Sequence, residues 1–323
     1  MVGNSWGVPV RILFTGGSSF TGMWLARTLA GRGHTVIAAM RQDKDRYSGL
    51  RLERLALVTE RCRPIWTAPF GSLRFIDAIA REAPFDLLCH HGAETNGYKS
   101  ADFDALAAVA ANTKGLTDVL QALRDAGCRR IVLTGSVFEA GEGAGTTPLH
   151  AFSAYGISKS LTSQLFAFHA AQSGMALGKM VVPNPFGPYE EPRFTDYLMR
   201  CWREGKPALV KTPRYVRDNI HVSLLAEIYC TFASTLPQEG FYKMGPSGYA
   251  ERQGAFAARF AREIGSRLKL ETPLQEIRQA DFAEPPIRIN TDVVHHVERD
   301  WDERAAWDEL ADYYAARFDV ERR

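Results

Sequence analysis

A tyrosine and a lysine stand four residues apart in the segment Ser153-Ala-Tyr155-Gly-Ile-Ser-Lys159. Side chains at positions i and i+4 lie on one face of a helix, so the Lys159 ammonium can stabilise a Tyr155 phenolate. Such a neighbour lowers the pKa of a phenol from about 10 towards neutrality, where a tyrosine acts as a general acid or base. The alternative is a surface helix in which Tyr155 packs and Lys159 is solvated. The motif alone does not decide between them.

The start of the chain is predicted to form a strand, a glycine-rich turn and a helix. Residues 10–14 are an apolar run typical of a buried strand, and residues 20–30 have helical spacing. Residues 35–40 predict a second strand, which completes a βαβ unit of about thirty residues. Such a unit implies a parallel sheet.

The turn between strand and helix, Thr15-Gly-Gly-Ser-Ser-Phe-Thr-Gly22, has the composition of a pyrophosphate-binding loop. Such a loop presents backbone N–H groups and a helix N-terminus to the phosphates, with glycine where a Cβ would block approach. Gly16 and Gly22 fit this role. Ser19 replaces the middle glycine of G-x-x-G-x-x-G, and its hydroxyl is expected to donate to a phosphate.

The residue at the tip of the second predicted strand indicates which dinucleotide is bound. An acidic residue here would accept a hydrogen bond from the ribose 2′-OH of NAD, whereas the sequence has Met40-Arg41. The Arg41 guanidinium can hold a 2′-phosphate through charge-assisted hydrogen bonds, which favours NADP. The alternative is that Arg41 is solvated and that Asp43 contacts the ribose.

Two further predicted strands end beside polar residues. The apolar runs at residues 85–90 and 129–134 are followed by His91-Gly-Ala93 and by Gly135-Ser136. Because ligands bind at the carboxyl ends of the strands in such sheets, Ser136 lies where chemistry is expected.

Histidine and cysteine usage does not predict a metal site. His90 and His91 are neighbours on a strand and would point to opposite faces, without a surrounding carboxylate-histidine pattern, so a structural role is favoured. The five cysteines are scattered and form no C-x-x-C pair, which argues against a disulfide framework and fits a reducing cytoplasm.

Composition excludes some classes of partner. The chain has 323 residues, 46% hydrophobic residues, 24% charged residues and a formal net charge of +2. This balance gives no electrostatic reason to expect a nucleic acid or a membrane surface as partner. No apolar run approaches the length of a membrane span, and the first residues do not resemble an export signal.

The strand and helix alternation predicts two domains. Residues 1–182 are expected to form a doubly wound α/β domain, with a long helix over Ala101–Ala126 and a flexible glycine-rich loop over 141–147. Prolines then interrupt the alternation, and residues 183–323 are expected to be mainly a smaller substrate-binding lobe. A segment at about 219–244 is expected to return to the first domain.

Several motifs together resemble the extended short-chain dehydrogenase/reductase family, which includes nucleotide-sugar epimerases, dehydratases and keto-reductases. The glycine turn resembles T-G-x-x-G-F-x-G, and Tyr155 to Lys159 resembles Y-x-x-x-K. Other matching segments follow the family's order and spacing: His90-His-Gly-Ala93, Asn112-Thr-Lys-Gly115, Leu133-Thr-Gly-Ser136, Asn184-Pro-Phe-Gly-Pro188 and Arg217-Asp-Asn-Ile-His-Val222. The resemblance covers nearly the whole chain and implies a Rossmann-type parallel sheet with a smaller C-terminal α/β lobe.

The resemblance also implies roles for individual residues. Ser136, Tyr155 and Lys159 would be catalytic, and Ser136, Asn184 and Arg217 would bind a nucleotide-sugar. The expected dinucleotide contacts are Gly16, Ser18, Ser19, Phe20, Gly22, Arg41, Gly92, Tyr155, Lys159 and Pro183. The pair Val137-Phe138 stands where sugar 4,6-dehydratases carry Asp-Glu, so dehydration is not expected.

The function predicted first is an NADP-dependent reductase of a keto-sugar nucleotide. The alternative is an NAD-dependent C4 epimerase that retains its dinucleotide, and a third hypothesis is a catalytically silent dinucleotide-binding protein. Because the family pairs two helices from each subunit, the chain is expected to form a homodimer through residues 101–126 and 155–171.

Overall fold

The structure is a computed structural model, which describes residues 9–100 and 102–318. None of the helices within these ranges combines the length and the apolar character needed to cross a lipid bilayer. The elements in chain order are β1 (Arg11–Thr15), α1 (Phe20–Gly31), β2 (Thr35–Ala39), α2 (Gly49–Thr59), β3 (Arg63–Ile65), α3 (Leu73–Glu82), β4 (Leu87–His90), α4 (Ala105–Asn112), α5 (Leu116–Asp125), β5 (Arg130–Ser136), β6 (Ala144–Gly145), α6 (Ala154–Gln172), β7 (Ala176–Val182), β8 (Asn184–Phe186), α7 (Phe194–Arg203), β9 (Ala208–Val210), β10 (Val216–His221), α8 (Val222–Thr235), β11 (Phe241–Met244), β12 (Tyr249–Arg252), α9 (Gln253–Leu268), β13 (Leu274–Glu276), β14 (Ile287–Ile289), α10 (His295–Asp300) and α11 (Glu303–Phe318).

The chain divides into two compact units. The first comprises the residues up to 142 together with 150–182 and 226–245, and the second comprises 143–149, 183–225 and the residues from 246 onwards.

The first unit is built on a parallel sheet of seven strands in the order β11-β7-β5-β4-β1-β2-β3. From β1 the chain proceeds to β2 and β3 on one side, and then to β4 and β5 on the other. The strand order therefore reverses between β1 and β4, which is the position where doubly wound sheets bind their ligands. The predicted doubly wound α/β fold is confirmed. Strand β11, which lies within the segment 219–244, pairs with β7 at one edge of this sheet.

Helices cover both faces of the sheet of the first unit, since its inner strands β1, β2, β4, β5 and β7 are almost entirely buried. One core cluster joins Leu13, Leu88 and Leu133 of the strands to Phe75 of α3 and Phe166 of α6. These layers fix the carboxyl ends of β1, β4 and β5, together with the start of α6, within one rigid framework.

The second unit has its own sheet and core. Its sheet follows the order β12-β10-β14-β6, and β8 also pairs with β10. Strands β9 and β13 form a separate parallel pair. The core cluster of this unit packs aromatic side chains of α7, α9 and α11, among them Trp202, Phe256, Phe260, Trp307 and Tyr314.

Two sequence-based expectations need correction. The prediction of one long helix over residues 101–126 is wrong: Ala101 lies outside the described residues, and residues 102–126 contain two helices, α4 and α5. The break follows from Gly115, which has φ +58° and whose Cβ would lie 2.8 Å from the Gly71 carbonyl oxygen. The segment 141–147 is not only a loop, because it contains β6, which pairs antiparallel with β14.

The close contact at Gly71 predicts a large loss of stability in Gly71→Ala. Gly71 has φ +71°, and a Cβ would lie 1.7 Å from the Lys114 carbonyl oxygen. We expect the free energy of unfolding, measured in urea, to fall by about 3 kcal/mol. Gly127→Ala is the control, because Gly127 has φ +86° and open space around it. It should cost about 1 kcal/mol from backbone strain alone, and equal losses in the two variants would contradict the steric argument.

Candidate active site

The glycine turn is closed by its own hydrogen bonds and leads directly into α1. The Ser19 hydroxyl donates to the Gly16 carbonyl at 2.9 Å and accepts from the Gly22 N–H at 3.1 Å, so Ser19 is the N-cap of α1. Its single proton goes to the Gly16 carbonyl, whereas the sequence predicted that this hydroxyl donates to a phosphate. Phe20 begins the helix and is buried. Ser18 lies in the turn itself, partly exposed.

The two loops that follow β1 and β4 approach each other too closely for side chains. Gly16 has φ +83°, and a Cβ there would lie 2.7 Å from the Gly92 backbone nitrogen. The Gly92 N–H donates to the Thr15 hydroxyl at 3.1 Å. A compact backbone turn at the N-terminus of α1 is the feature that a pyrophosphate requires, so these residues fit a dinucleotide.

Arg41 follows β2 and forms an ion pair that the sequence did not predict. Its guanidinium donates to the Glu94 carboxylate at 3.2 and 3.3 Å. Glu94 follows β4, and its backbone N–H donates to the Asn112 side chain at 2.7 Å. Partial burial acts to raise the pKa of the Glu94 carboxyl, but hydrogen bonds from the Asn96 and Thr95 backbone and the Arg41 charge outweigh it and lower this pKa. A cation and an anion therefore stand together beside the expected adenosine site.

Ser136 is the last residue of β5, at the carboxyl edge of the sheet. Its hydroxyl accepts a hydrogen bond from the Phe138 N–H at 3.2 Å. Its backbone N–H donates to the buried Glu139 carboxylate at 2.7 Å. The hydroxyl proton of Ser136 therefore remains able to donate to a substrate oxygen.

Helix α6 presents Tyr155 and Lys159 from its first two turns. Ser153 caps the helix by accepting from the Gly156 N–H at 3.0 Å. The Tyr155 ring lies among three aromatic rings, those of Tyr98, Phe103 and Phe138, at centroid distances of 5.3, 6.2 and 6.5 Å.

Lys159 is only 4% exposed, and its ammonium donates to the Thr134 carbonyl at 2.5 Å. Burial lowers the pKa of Lys159, the Glu139 carboxylate opposes this effect, and the Lys179 ammonium adds to it. Thr134 lies two residues before Ser136 on β5. Lys159 is therefore fastened to the strand that carries Ser136 and lies one helical turn from Tyr155.

A hydrogen-bond chain joins this lysine to the glycine turn. His91 Nδ1 pairs with the Thr134 hydroxyl at 3.0 Å, and His91 Nε2 pairs with the Ser19 hydroxyl at 3.2 Å. Burial, with a smaller contribution from Lys159, lowers the pKa of His91 to about 3. His91 is thus a neutral bridge between β5 and the glycine turn.

Among the residues that the structure describes, no group of three His, Cys, Asp or Glu side chains is close enough to hold a metal ion.

The second unit contains Pro183, Asn184 and Arg217. Asn184 begins β8 and pairs in register with Asn219 of β10. Arg217 is buried, and its guanidinium donates to the Glu284 carboxylate at 3.0 Å and to neighbouring backbone carbonyls. Arg217 is also in register with Arg288 of β14, so two guanidinium groups occupy adjacent strand positions. Burial, together with repulsion from Arg217, lowers the pKa of Arg288.

The sequence model of the "NAD dependent epimerase/dehydratase family" matches residues 12–245. The chain belongs to this family. No curated protein shows significant similarity to it.

Similar solved structures show the same fold at low identity. A dTDP-glucose 4,6-dehydratase from Streptomyces venezuelae is 19% identical, with 95% of this chain and 97% of the other covered and a TM-score of 0.69. A UDP-glucose-4-epimerase from Stenotrophomonas maltophila is 18% identical, with 95% and 98% covered and a TM-score of 0.72. A UDP-glucuronic acid 4-epimerase from Bacillus cereus is 14% identical, with 95% and 99% covered and a TM-score of 0.74.

Sequence reasoning missed three charged residues at or beside the expected site: Glu94, Glu139 and Arg288. Their partners are distant in the sequence or give no recognisable local spacing, so no motif marks them. Thr134 and His91 belong to matched motifs. The bond from Lys159 to Thr134 and the bond between His91 and Ser19 nevertheless required the structure.

The buried His90 predicts a loss of stability in acid. Burial lowers its pKa to about 3, against an ordinary value of 6.5, with smaller contributions from Lys159 and His91. Between pH 6.5 and 3, His90 is protonated in the unfolded chain but neutral in the folded chain. The free energy of unfolding therefore falls as the pH falls through this range. In His90→Gln the loss of unfolding free energy between pH 7 and 4 should be smaller by on the order of 2 kcal/mol.

Urea unfolding at pH 7, 6, 5 and 4 measures this difference. His296→Gln is the control, because His296 is exposed. Parallel pH curves for wild type and His90→Gln would contradict the prediction.

Proposed function

We propose that this chain is an NADP-dependent reductase of a keto-sugar nucleotide. The observation that carries the proposal is the buried Lys159 ammonium, which bonds to the Thr134 carbonyl one helical turn from Tyr155. A buried cation beside a tyrosine and a strand-end serine supplies the groups that carbonyl reduction requires.

Three side chains of this protein would act on the substrate oxygen and on the proton that it receives. Tyr155 donates a proton to the substrate oxygen, and the Ser136 hydroxyl donates a hydrogen bond to the same oxygen as its negative charge develops. Lys159 stabilises the phenolate that remains and holds the nicotinamide ribose. The bound dinucleotide supplies the hydride. The half-buried Tyr155 ring packs among three aromatic rings, which restrict its orientation.

The dinucleotide would be held by residues of several loops. The turn residues Gly16, Ser18, Ser19, Phe20 and Gly22 would hold the pyrophosphate, with Gly92 and Pro183 along the nicotinamide half. Arg41 would bind the 2′-phosphate of NADP.

The proposed substrate class is supported by the similar structures and by charge. Two of the epimerases hold UDP-sugar derivatives with NAD. In this chain, Asn184 and Arg217 would bind the diphosphate, and the adjacent Arg288 adds a second buried guanidinium. Arg217 would exchange its contact with the half-exposed Glu284 for a phosphate oxygen.

One observation favours the alternative, an NAD-dependent C4 epimerase of a nucleotide-sugar. The Glu94 carboxylate lies against Arg41. In that position it would repel a 2′-phosphate and could accept from a ribose hydroxyl.

The test compares dinucleotides. Purified protein is denatured, the released dinucleotide is identified by mass, and the emptied protein is titrated with NADP and with NAD. The reductase predicts an empty protein that prefers NADP at least tenfold, about 1.4 kcal/mol. Arg41→Ala should remove this preference, whereas Glu94→Gln should strengthen it because the guanidinium is released. Stoichiometric bound NAD, with Arg41→Ala weakening both dinucleotides equally, would contradict the reductase and support the epimerase.

The homodimer is proposed through α4 and α6. These helices pack together and expose apolar side chains, with Leu106 75% exposed and Phe168 60% exposed. We expect Phe168→Asp to shift the protein from dimer to monomer in sedimentation velocity at micromolar concentration. Phe241→Asp is the control, since Phe241 is exposed on β11. A monomeric wild type would contradict the proposal.

A cytoplasmic location is proposed from the thiols. The five cysteines are free, and four of them are buried. Such usage is typical of a reducing compartment.

A further inference from the structure

A set of buried charges lies beside the carboxyl ends of β5 and β7 in the first unit. It consists of two carboxylates and two ammonium groups, those of Glu139, Glu142, Lys159 and Lys179. Only Lys159 has a role in the proposed reaction. Burying four charges is costly unless they are paired and hydrogen-bonded.

Glu139 is the centre of this set and is 1% exposed. Its Oε1 accepts the Ser136 N–H at 2.7 Å, and its Oε2 accepts the Ser163 hydroxyl at 3.0 Å. The Lys179 ammonium bonds to the same Oε2 at 2.5 Å. Glu139 therefore fixes the backbone of Ser136 while it pairs with a cation from β7.

Further ion pairs extend from Lys179 towards the protein surface. Lys179 also bonds to Glu142 at 2.8 Å, and Glu142 pairs with the partly exposed Lys243 at 3.0 Å. Gly135 provides the space for the inner pair, because a Cβ there would lie 2.7 Å from Lys179 Cε and 2.8 Å from Glu139 Oε1.

Helix α6 contacts the same carboxylate through a residue one turn after Lys159. Ser163 stands one turn after Lys159, so both side chains lie on one helix face, and Ser163 bonds to Glu139. The bond from Lys159 to the Thr134 carbonyl does not neutralise its charge. Burial disfavours the charged lysine, Glu139 favours it and Lys179 disfavours it.

We propose that Glu139 is a positioning residue of the catalytic centre. It holds the Ser136 backbone in place, and its buried negative charge stabilises the protonated form of Lys159. The ammonium of Lys179 destabilises that form. This inference rests on the proposed function for what a protonated Lys159 accomplishes. The Glu139 and Lys179 pair then sets the pH range in which the site is active.

Titratable groups of two other elements and of α6 also face Lys159. From β4 and its turn come His90 and His91, and burial lowers the pKa of each to about 3, so both are neutral in the alkaline range. From α6 itself comes Tyr155. Within the described residues, the carboxylate of Glu139 favours the charged form of Lys159 and the ammonium of Lys179 disfavours it. Glu142 faces Lys179 and Lys243. A Tyr155→Phe background removes the titrating phenol one helical turn from Lys159.

The test measures the ionisation of Lys159 directly, without substrate or dinucleotide. Protein enriched in 13C at lysine Cε is titrated by NMR in the Tyr155→Phe background, and the Lys159 signal is identified by its loss in Lys159→Arg. Glu139→Gln should lower the midpoint of the titration by on the order of one pH unit, and Lys179→Met should raise it. The double variant should titrate close to the parent protein, because the two charges are removed together.

The double variant also distinguishes the loss of charge from a folding defect. In it, the amide that Glu139→Gln introduces can still accept the Ser136 N–H and donate to the Ser163 hydroxyl, without facing the Lys179 ammonium. Glu82→Gln is the control, because Glu82 pairs with Arg11 and Arg63 at the amino-terminal edge of the sheet. It should not move the midpoint.

Opposite shifts in the single variants with recovery in the double variant would support the inference. Unchanged midpoints, or shifts of the same sign in both single variants, would overturn it. Because no turnover is needed, an inactive protein with these shifts would refute the proposed function but not the role of Glu139.

Discussion

The structure of this site depends on the burial of one ammonium group. Lys159 points from α6 into the interior and donates to the Thr134 carbonyl. Removing a charge from water costs several kcal/mol even after relaxation, whereas one hydrogen bond to a charged group returns about 1.5–3 kcal/mol. A carbonyl alone therefore does not suffice. The Glu139 carboxylate adds a favourable charge interaction, although burial still lowers the pKa of Lys159.

The same bond organises the surrounding elements. Because Thr134 belongs to β5, the bond from Lys159 joins α6 to the strand that ends at Ser136. The Thr134 hydroxyl pairs with His91, which in turn pairs with the Ser19 hydroxyl. The proposed catalytic groups and the glycine turn are thus connected by buried polar contacts as well as by packing. Such a network restricts the side chains to one arrangement, which favours preorganised stabilisation of developing charge.

The local parts of this arrangement could be predicted from the sequence. The strand, turn and helix around Gly16 were visible because apolar periodicity and glycine placement are local properties. The long helix over 101–126 was predicted wrongly, because its break is imposed by the turn at Gly71, some forty residues earlier. The roles of Glu139 and Glu94 could not be predicted, because their ion-pair partners are distant in the sequence and become neighbours only in the folded sheet.

The most direct measurement is the ionisation of Tyr155 in the protein without substrate. Protein enriched in 13C at tyrosine Cζ is titrated by NMR as wild type and as Lys159→Met, with the signal assigned by its loss in Tyr155→Phe. A buried ammonium at Lys159 predicts that Tyr155 ionises at least about one pH unit lower in the wild type than in Lys159→Met. Equal midpoints would mean that Lys159 does not tune Tyr155, and would contradict the account of this site as a proton-transfer centre.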